Sequence, residues 1–223
     1  MPTPNRFTHV IFDLDGTLLN TLEDLADACN RLCERHGWPT HGLDEYRYFV
    51  GNGVAKLVER ATPKDDRVKA MLSELVEEFT LDYNEHKADK TRPYDGIVQV
   101  LERLKQEGVR IAVQTNKPHE AAGPIMEQYF PGVFSFVQGG RPGVPLKPDP
   151  AAVHSLMERM GATARTTLFV GDSNVDIQTA KNSGIAGCGV LWGFRTREEL
   201  EGESADFIAP TPEALLDIIL ADE

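Results

Sequence analysis

Two rhythms of apolar and polar positions divide this chain. Val10, Ile11 and Phe12 form a short apolar run that predicts a strand, closed by Asp13-Leu14-Asp15-Gly16-Thr17 as a turn. From Thr21 the apolar positions fall at helical spacing: Leu22, Leu25, Cys29 and Leu32, behind a Thr cap and acidic first-turn residues, with Gly37 as the stop. A shorter helix opens at Asp44, the loop Val50-Gly51-Asn52-Gly53 breaks it, and 54–61 resumes. Val68, Met71, Leu72, Leu75, Val76 and Phe79 predict one amphipathic helix. Residues 20 to 86 therefore read as all helix.

After Pro93-Tyr94-Asp95-Gly96 the pattern turns to alternating helix and strand. Helices are expected over 97–106, 121–129, 150–160 and 176–183, and again from Thr211-Pro212-Glu213. Strands are expected over 110–114, 133–137, 166–170, 187–191 and 206–209. Such alternation predicts an α/β fold, a Rossmann-like parallel sheet flanked by helices on both faces, with ligands at the carboxyl ends of the strands. The helical block enters after the first strand, so it reads as a small cap inserted over 20–89, leaving 1–19 and 90–223 as the core.

Composition narrows the partners. The 35 acidic and 23 basic residues leave a net charge of −12 without a Lys/Arg block, which argues against nucleic acid or an anionic membrane. No apolar run approaches a membrane span, and residues 1–8 are polar with no secretory core after them, so a cytoplasmic protein is expected, as a monomer or homodimer. The three cysteines read as reduced thiols; zinc on Cys29, Cys33 and His36 fits none of the usual frameworks.

Chemistry gathers at strand ends. Asp13 and Asp15 follow the first strand, Thr115 and Asn116 the 110–114 strand, and Asp172 with Asp176 the 166–170 strand, while Lys147 lies in the loop after 133–137. In a parallel sheet these ends converge, and the set suits phosphoryl transfer. Asp13 is the candidate nucleophile and Asp15 the proton carrier. Mg²⁺ is expected on the Asp13 and Asp172 carboxylates, and Thr115, Asn116 and Lys147 on the phosphoryl oxygens. Asp176 suits either a helix-end acid or a partner to metal-bound water. The expected partner is a small phosphate ester.

In order, Phe12-Asp13-Leu14-Asp15-Gly16-Thr17, Gln114-Thr115-Asn116-Lys117, Lys147-Pro148 and Gly171-Asp172-Ser173-Asn174-Val175-Asp176 resemble the four motifs of the haloacid dehalogenase superfamily of phosphatases. The resemblance implies Asp13 as nucleophile, Asp15 as acid/base, a first strand central in the sheet, and Mg²⁺ held also by the Asp15 backbone carbonyl. Phe49-Val50-Gly51-Asn52-Gly53-Val54 and residues 143–150 are most similar to phosphoglycolate phosphatases; Asn20 departs from the Asp common in relatives. That implies a substrate carboxylate, for which Arg47 beside Gly51, Asn52 and Gly53 is the candidate reader. Alternatives are a sugar phosphate, nucleotide or pyrophosphate as substrate, a β-phosphoglucomutase-like mutase, a dehalogenase and a non-enzymatic phospho-acceptor switch.

Overall fold

The computed structural model describes residues 6–221. The chain forms two compact units, one of residues up to Leu19 and from Pro93 on, the other Asn20–Arg92. Strand β1 (His9–Phe12) opens the first unit. The chain leaves it through β2 (Leu19–Asn20) and returns through β3 (Arg92–Pro93), and these two short strands pair with each other.

Between them lie five helices: α1 (Leu22–Arg35), α2 (Leu43–Phe49), α3 (Val54–Ala61), α4 (Asp66–Ala70) and α5 (Leu72–His86). Their apolar stripes are buried, with Leu25, Cys29 and Leu32 on α1, Leu57 and Val58 on α3, and Leu75 and Phe79 on α5. The helix expected across 68–79 divides at Met71, whose N–H closes onto the Val68 carbonyl, while the Asp65 side chain caps α4 at Val68 N. No Gly or Pro marks that break in the sequence. The helical unit runs on to Arg92. The buried Asp24 carboxylate of α1 accepts the N–H groups of Lys90 and Thr91 and the Thr91 hydroxyl, binding the exit segment to this unit.

The rest alternates: α6 (Ile97–Gln106), β4 (Arg110–Pro118), α7 (His119–Tyr129), β5 (Phe136–Gly140), α8 (Ala151–Met160), β6 (Thr167–Gly171), α9 (Asn174–Ser183), β7 (Ala186–Val190), α10 (Arg197–Gly202), β8 (Phe207–Ala209) and α11 (Pro212–Leu220). The six main strands pair in parallel in the order β5-β4-β1-β6-β7-β8. Successive side chains of a strand face opposite ways, so Val10 and Phe12 join one core with α6, α7 and α11, while Ile11 joins another with α8 and the α9 residue Ala180. That double burial explains why the strands read as unbroken apolar runs.

Two strand boundaries and one helix differ notably from the sequence reading. Strand β4 continues through Thr115 and Asn116 to Pro118, beyond a register shift after Gln114. Strand β5 starts at Phe136, because residues 131–133 turn first and Ser135 N–H then bonds the Ile111 carbonyl. Helix α10 went unread, although Thr196 and Glu199 form a reciprocal capping box at its start. Among the described residues no helix is long and apolar enough to cross a membrane.

Candidate active site

The sheet order makes β1 the strand from which the chain winds first to one side and then to the other, the place where α/β sheets open a crevice at their carboxyl ends. Asp13 follows β1, its N–H bonded to the Val170 carbonyl of β6 at 2.8 Å. Asp172 follows β6, and Asp176 lies in the first turn of α9. One carboxylate oxygen from each of Asp13, Asp172 and Asp176 lies within 4.8 Å of the others, and all three residues are buried.

Lys147 crosses this cluster. Its ammonium stands 2.7 Å from Asp13 Oδ1 and 2.6 Å from Asp176 Oδ1, with the side chain buried. The loop that carries it is fixed from two directions. Asn116 Oδ1 accepts the Lys147 N–H at 2.7 Å and Asn116 Nδ2 donates back to the Lys147 carbonyl at 3.1 Å. Asn182 Nδ2 donates to the Pro148 carbonyl at 2.8 Å, and the Lys147–Pro148 peptide bond is cis. Asn116, expected on the phosphate, thus spends its amide on Lys147.

Burial dominates the electrostatics. It pushes Asp13 well above the usual carboxylate range; Lys147 opposes the shift, and Asp176 and Asp172 add to it. Burial, reinforced by Asp176, pushes Asp172 up to about 7, against the Phe194 N–H, Arg195 and the Thr17 hydroxyl. Burial also pulls on Lys147, yet Asp13 and Asp176 outweigh it and raise that lysine, keeping it charged.

Asp172 takes the Thr17 hydroxyl at 3.1 Å on Oδ1 and the Phe194 N–H at 2.8 Å on Oδ2. Asp176 caps its own helix, its Oδ2 accepting from Ser173 N at 3.0 Å and Ser173 Oγ at 2.6 Å. Asp176 is therefore a helix-end acid and, through Oδ1, a partner of Lys147. Backbone packs tightly here: a Cβ at Gly16, where φ is +92°, would collide with the Asp172 carboxylate, and one at Gly171 would collide with Asp176.

Asp15 has a lysine of its own. Lys117 Nζ donates to Asp15 Oδ1 at 3.1 Å, with little of either side chain exposed. The Thr115 hydroxyl accepts the Lys117 N–H at 3.1 Å, which leaves its own proton to give. Sequence reasoning quoted Lys117 without a role, and missed Thr17 and the 192–195 loop that brings the Phe194 N–H to Asp172. Gly193 was the available signal, since a Cβ there would strike Asp172 and the Gly16 carbonyl.

The cluster suits a hard divalent cation. Three buried carboxylates face one buried ammonium, and every donor is oxygen. Asp13 Oδ1 has the ion-pair contact with Lys147 but no aligned hydrogen-bond donor. Among the described residues no other group of three or more His, Cys, Asp or Glu side chains comes close enough to share an ion. Cys29, Cys33 and His36 do not: both thiols are buried in α1, and His36 Nε2 pairs with Glu78 at 2.9 Å.

The substrate-reading candidates lie in the helical unit. Arg47 is exposed on α2, with Asp44 at 3.8 Å. Asn52 Oδ1 accepts from Arg60 at 2.9 Å, and Arg60 also holds the Tyr48 and Phe49 carbonyls. Gly51 and Gly53 flank it at φ of 114° and 84°, a conformation that favours glycine.

The family model of haloacid dehalogenase-like hydrolases matches residues 10–190, from β1 to the end of β7. The chain belongs to that family. Among its relatives, phosphoglycolate phosphatase of Pseudomonas putida is 36% identical, over 93% of this chain and 78% of its own. That of Vibrio parahaemolyticus is 34% identical, over 94% and 95%. A solved structure from Lactobacillus delbrueckii subsp. bulgaricus, provisionally named a phosphoglycolate phosphatase, is 32% identical with a TM-score of 0.90, over 97% of this chain and all of that one. In this family member the sheet, the strand-end acids and the lysines form one unit, and the helical insertion forms another.

Proposed function

We propose that this haloacid dehalogenase-like hydrolase is a cytoplasmic, Mg²⁺-dependent phosphatase that cleaves a small phosphate monoester, 2-phosphoglycolate, to glycolate and phosphate. The observation that carries this reading is the division of the Asp13–Asp15 pair between two buried lysines, Lys147 on the first and Lys117 on the second. One carboxylate is paired with the charge that a phosphoryl group needs, and the other is set apart for protons. The names of the relatives support the substrate.

Asp13 attacks phosphorus through a carboxylate oxygen, and the bond to the leaving alcohol breaks as Asp15 gives that oxygen a proton. Water then attacks the aspartyl-phosphate, Asp15 takes the proton, and Asp13 and inorganic phosphate are released. Lys147 and the Thr115 hydroxyl offset charge on the transferring group without moving, and Asn116 acts on Lys147 by fixing its backbone. Asp13, Asp172 and the Asp15 carbonyl would hold Mg²⁺, which supplies charge neutralisation for an anionic substrate. Arg47 is proposed to read the glycolate carboxylate.

The test is phosphate release from a panel of 2-phosphoglycolate, hexose phosphates, nucleotides and pyrophosphate, with and without Mg²⁺. Phosphoglycolate should lead, and Asp13→Asn should abolish release while the fold persists. Full activity in Asp13→Asn would overturn the mechanism. A different leading substrate would overturn the assignment to phosphoglycolate alone. An unchanged preference for phosphoglycolate in Arg47→Ala would remove Arg47 from the reading.

A further inference from the structure

Lys117 is a buried lysine that the motif chemistry leaves unemployed. Only 6% of it is exposed, and buried lysines persist only when paired. Its position is built from several sides. Strand β4 runs past the end of β1 and, through a register shift after Gln114, stays paired with β5 as far as Pro118, which carries the backbone on to residue 117. The Thr115 hydroxyl holds the Lys117 N–H at 3.1 Å. Strand β5 presses close behind: a Cβ on Gly139 would lie 2.8 Å from the Lys117 carbonyl and 2.6 Å from His119 Cα, so only glycine lets the two backbones approach.

Asp15 is constrained as well. It sits in a turn closed by the Gly16 N–H on the Leu19 carbonyl at 2.9 Å, with a bridge between Asp15 and Leu19. Its side chain meets Lys117 Nζ at 3.1 Å through Oδ1. Lys147, by contrast, serves Asp13 and Asp176, so the two lysines divide the acids between them.

We propose that Lys117 is a positioning residue for the second half of the reaction: it fixes the Asp15 carboxylate as the acceptor of the proton released by the attacking water. In that step the water oxygen bonds to phosphorus, the bond from phosphorus to the Asp13 oxygen breaks, and its electron pair returns to the Asp13 carboxylate. The water's proton passes to Asp15. With Oδ1 engaged by the ammonium, Asp15 keeps one anchored orientation, and Oδ2 is left to take the proton. Lys117 touches neither phosphorus nor water in this role; it acts through Asp15. The inference rests on the phosphatase reading above.

The experiment uses p-nitrophenyl phosphate, whose nitrophenolate leaves without help from an acid, so the two halves separate. Stopped-flow absorbance follows release of nitrophenolate by the full-length Mg²⁺-loaded enzyme. Acid quenching counts the phosphoenzyme. Lys117→Met should give a burst of about one nitrophenolate per active site, then steady turnover about a hundredfold slower than wild type, with phosphoenzyme accumulating. Lys117→Arg should recover turnover to within about tenfold, because a cationic donor returns. In an Asp15→Asn background, adding Lys117→Met should change turnover by less than about twofold.

Equal slowing of burst and steady state in Lys117→Met would overturn the proposal, and so would a full Lys117→Met effect in the absence of Asp15. If the Met variant does not fold, Lys117→Gln, which is one atom shorter and keeps a donor without the charge, enters the same assays with the same expectations. A wild-type enzyme that releases no nitrophenolate overturns the phosphatase reading itself. An active wild type with no burst in either neutral variant overturns the role of Lys117 alone.

Discussion

Replacing Asp24 by Ala should weaken the helical unit by an amount that can be worked out from its bonds. The carboxylate is 2% exposed and accepts Thr91 N–H at 2.8 Å and Thr91 Oγ at 2.7 Å, besides the Lys90 N–H. The Lys90 residue is exposed and water takes over its N–H, so only the two donors of buried Thr91 count. Each buried donor deprived of a charged acceptor costs about 1–3 kcal/mol, which sets the loss near 4 kcal/mol. With an m-value of about 1.5 kcal/mol/M in urea, the midpoint should fall by roughly 2–3 M. Trp38 reports this transition from within the helical unit and Trp192 reports from the other, so a Trp192→Phe background isolates the signal. Asp24→Asn, which keeps an acceptor oxygen, should lose about half as much. A shift below about 0.5 M in Asp24→Ala would refute the claim that this carboxylate secures residues 90–91.

Asn116→Ala removes both bonds to the Lys147 backbone, so kcat for phosphate release should fall about ten- to a hundredfold with little change in thermal midpoint; wild-type kcat would count against the positioning role. Asp172, pushed up to about 7, holds its proton in the metal-free fold where an unfolded chain has lost it near pH 4. The metal-free fold therefore loses stability as pH rises from about 4 to 7, and Mg²⁺ has to displace that proton below 7. Titration calorimetry should show binding about tenfold weaker at pH 6 than at pH 8, and a pH-independent affinity would contradict the assignment. Burial pushes Cys188 up to about 12 and raises Cys29 and Cys33, so a thiol reagent at pH 8 should label the native protein only as fast as it opens. Immediate labelling of any of the three without unfolding would be the contrary result.

Much of the site was legible because a parallel sheet turns a one-dimensional rule, a polar group at the end of an apolar run, into a three-dimensional meeting place. Asp13, Asp172 and Lys147 obey that rule: the structure sets Lys147 2.7 Å from Asp13 and carboxylate oxygens of Asp13 and Asp172 within 4.8 Å of each other. Lys117 did not stand out, since a lysine after Asn116 looks like any solvated loop lysine until β4 is seen to run through it. The Phe194 N–H on Asp172 was unreadable for another reason: a backbone donor has no residue type. The bonds of the Asn116 side chain to the Lys147 backbone were not legible, because strand ends tell which residues share an edge and not which bonds each makes there. Met71 ends α4 without a Gly or Pro, so the break had no local sign, whereas α10 had one in Thr196 and Glu199.

The central place of β1 bears on how the molecule assembles. Residues 9–12 are made first, yet they pair with residues 110–113 on one side and 167–170 on the other. During synthesis the strand that leads to the nucleophile therefore waits, both edges unpaired, while the helices of Asn20–Arg92 can close among themselves. An emerging chain keeps one edge of its apolar Val10-Ile11-Phe12 run unpaired until β6 arrives, an interval in which this short segment is open to pairing with other chains.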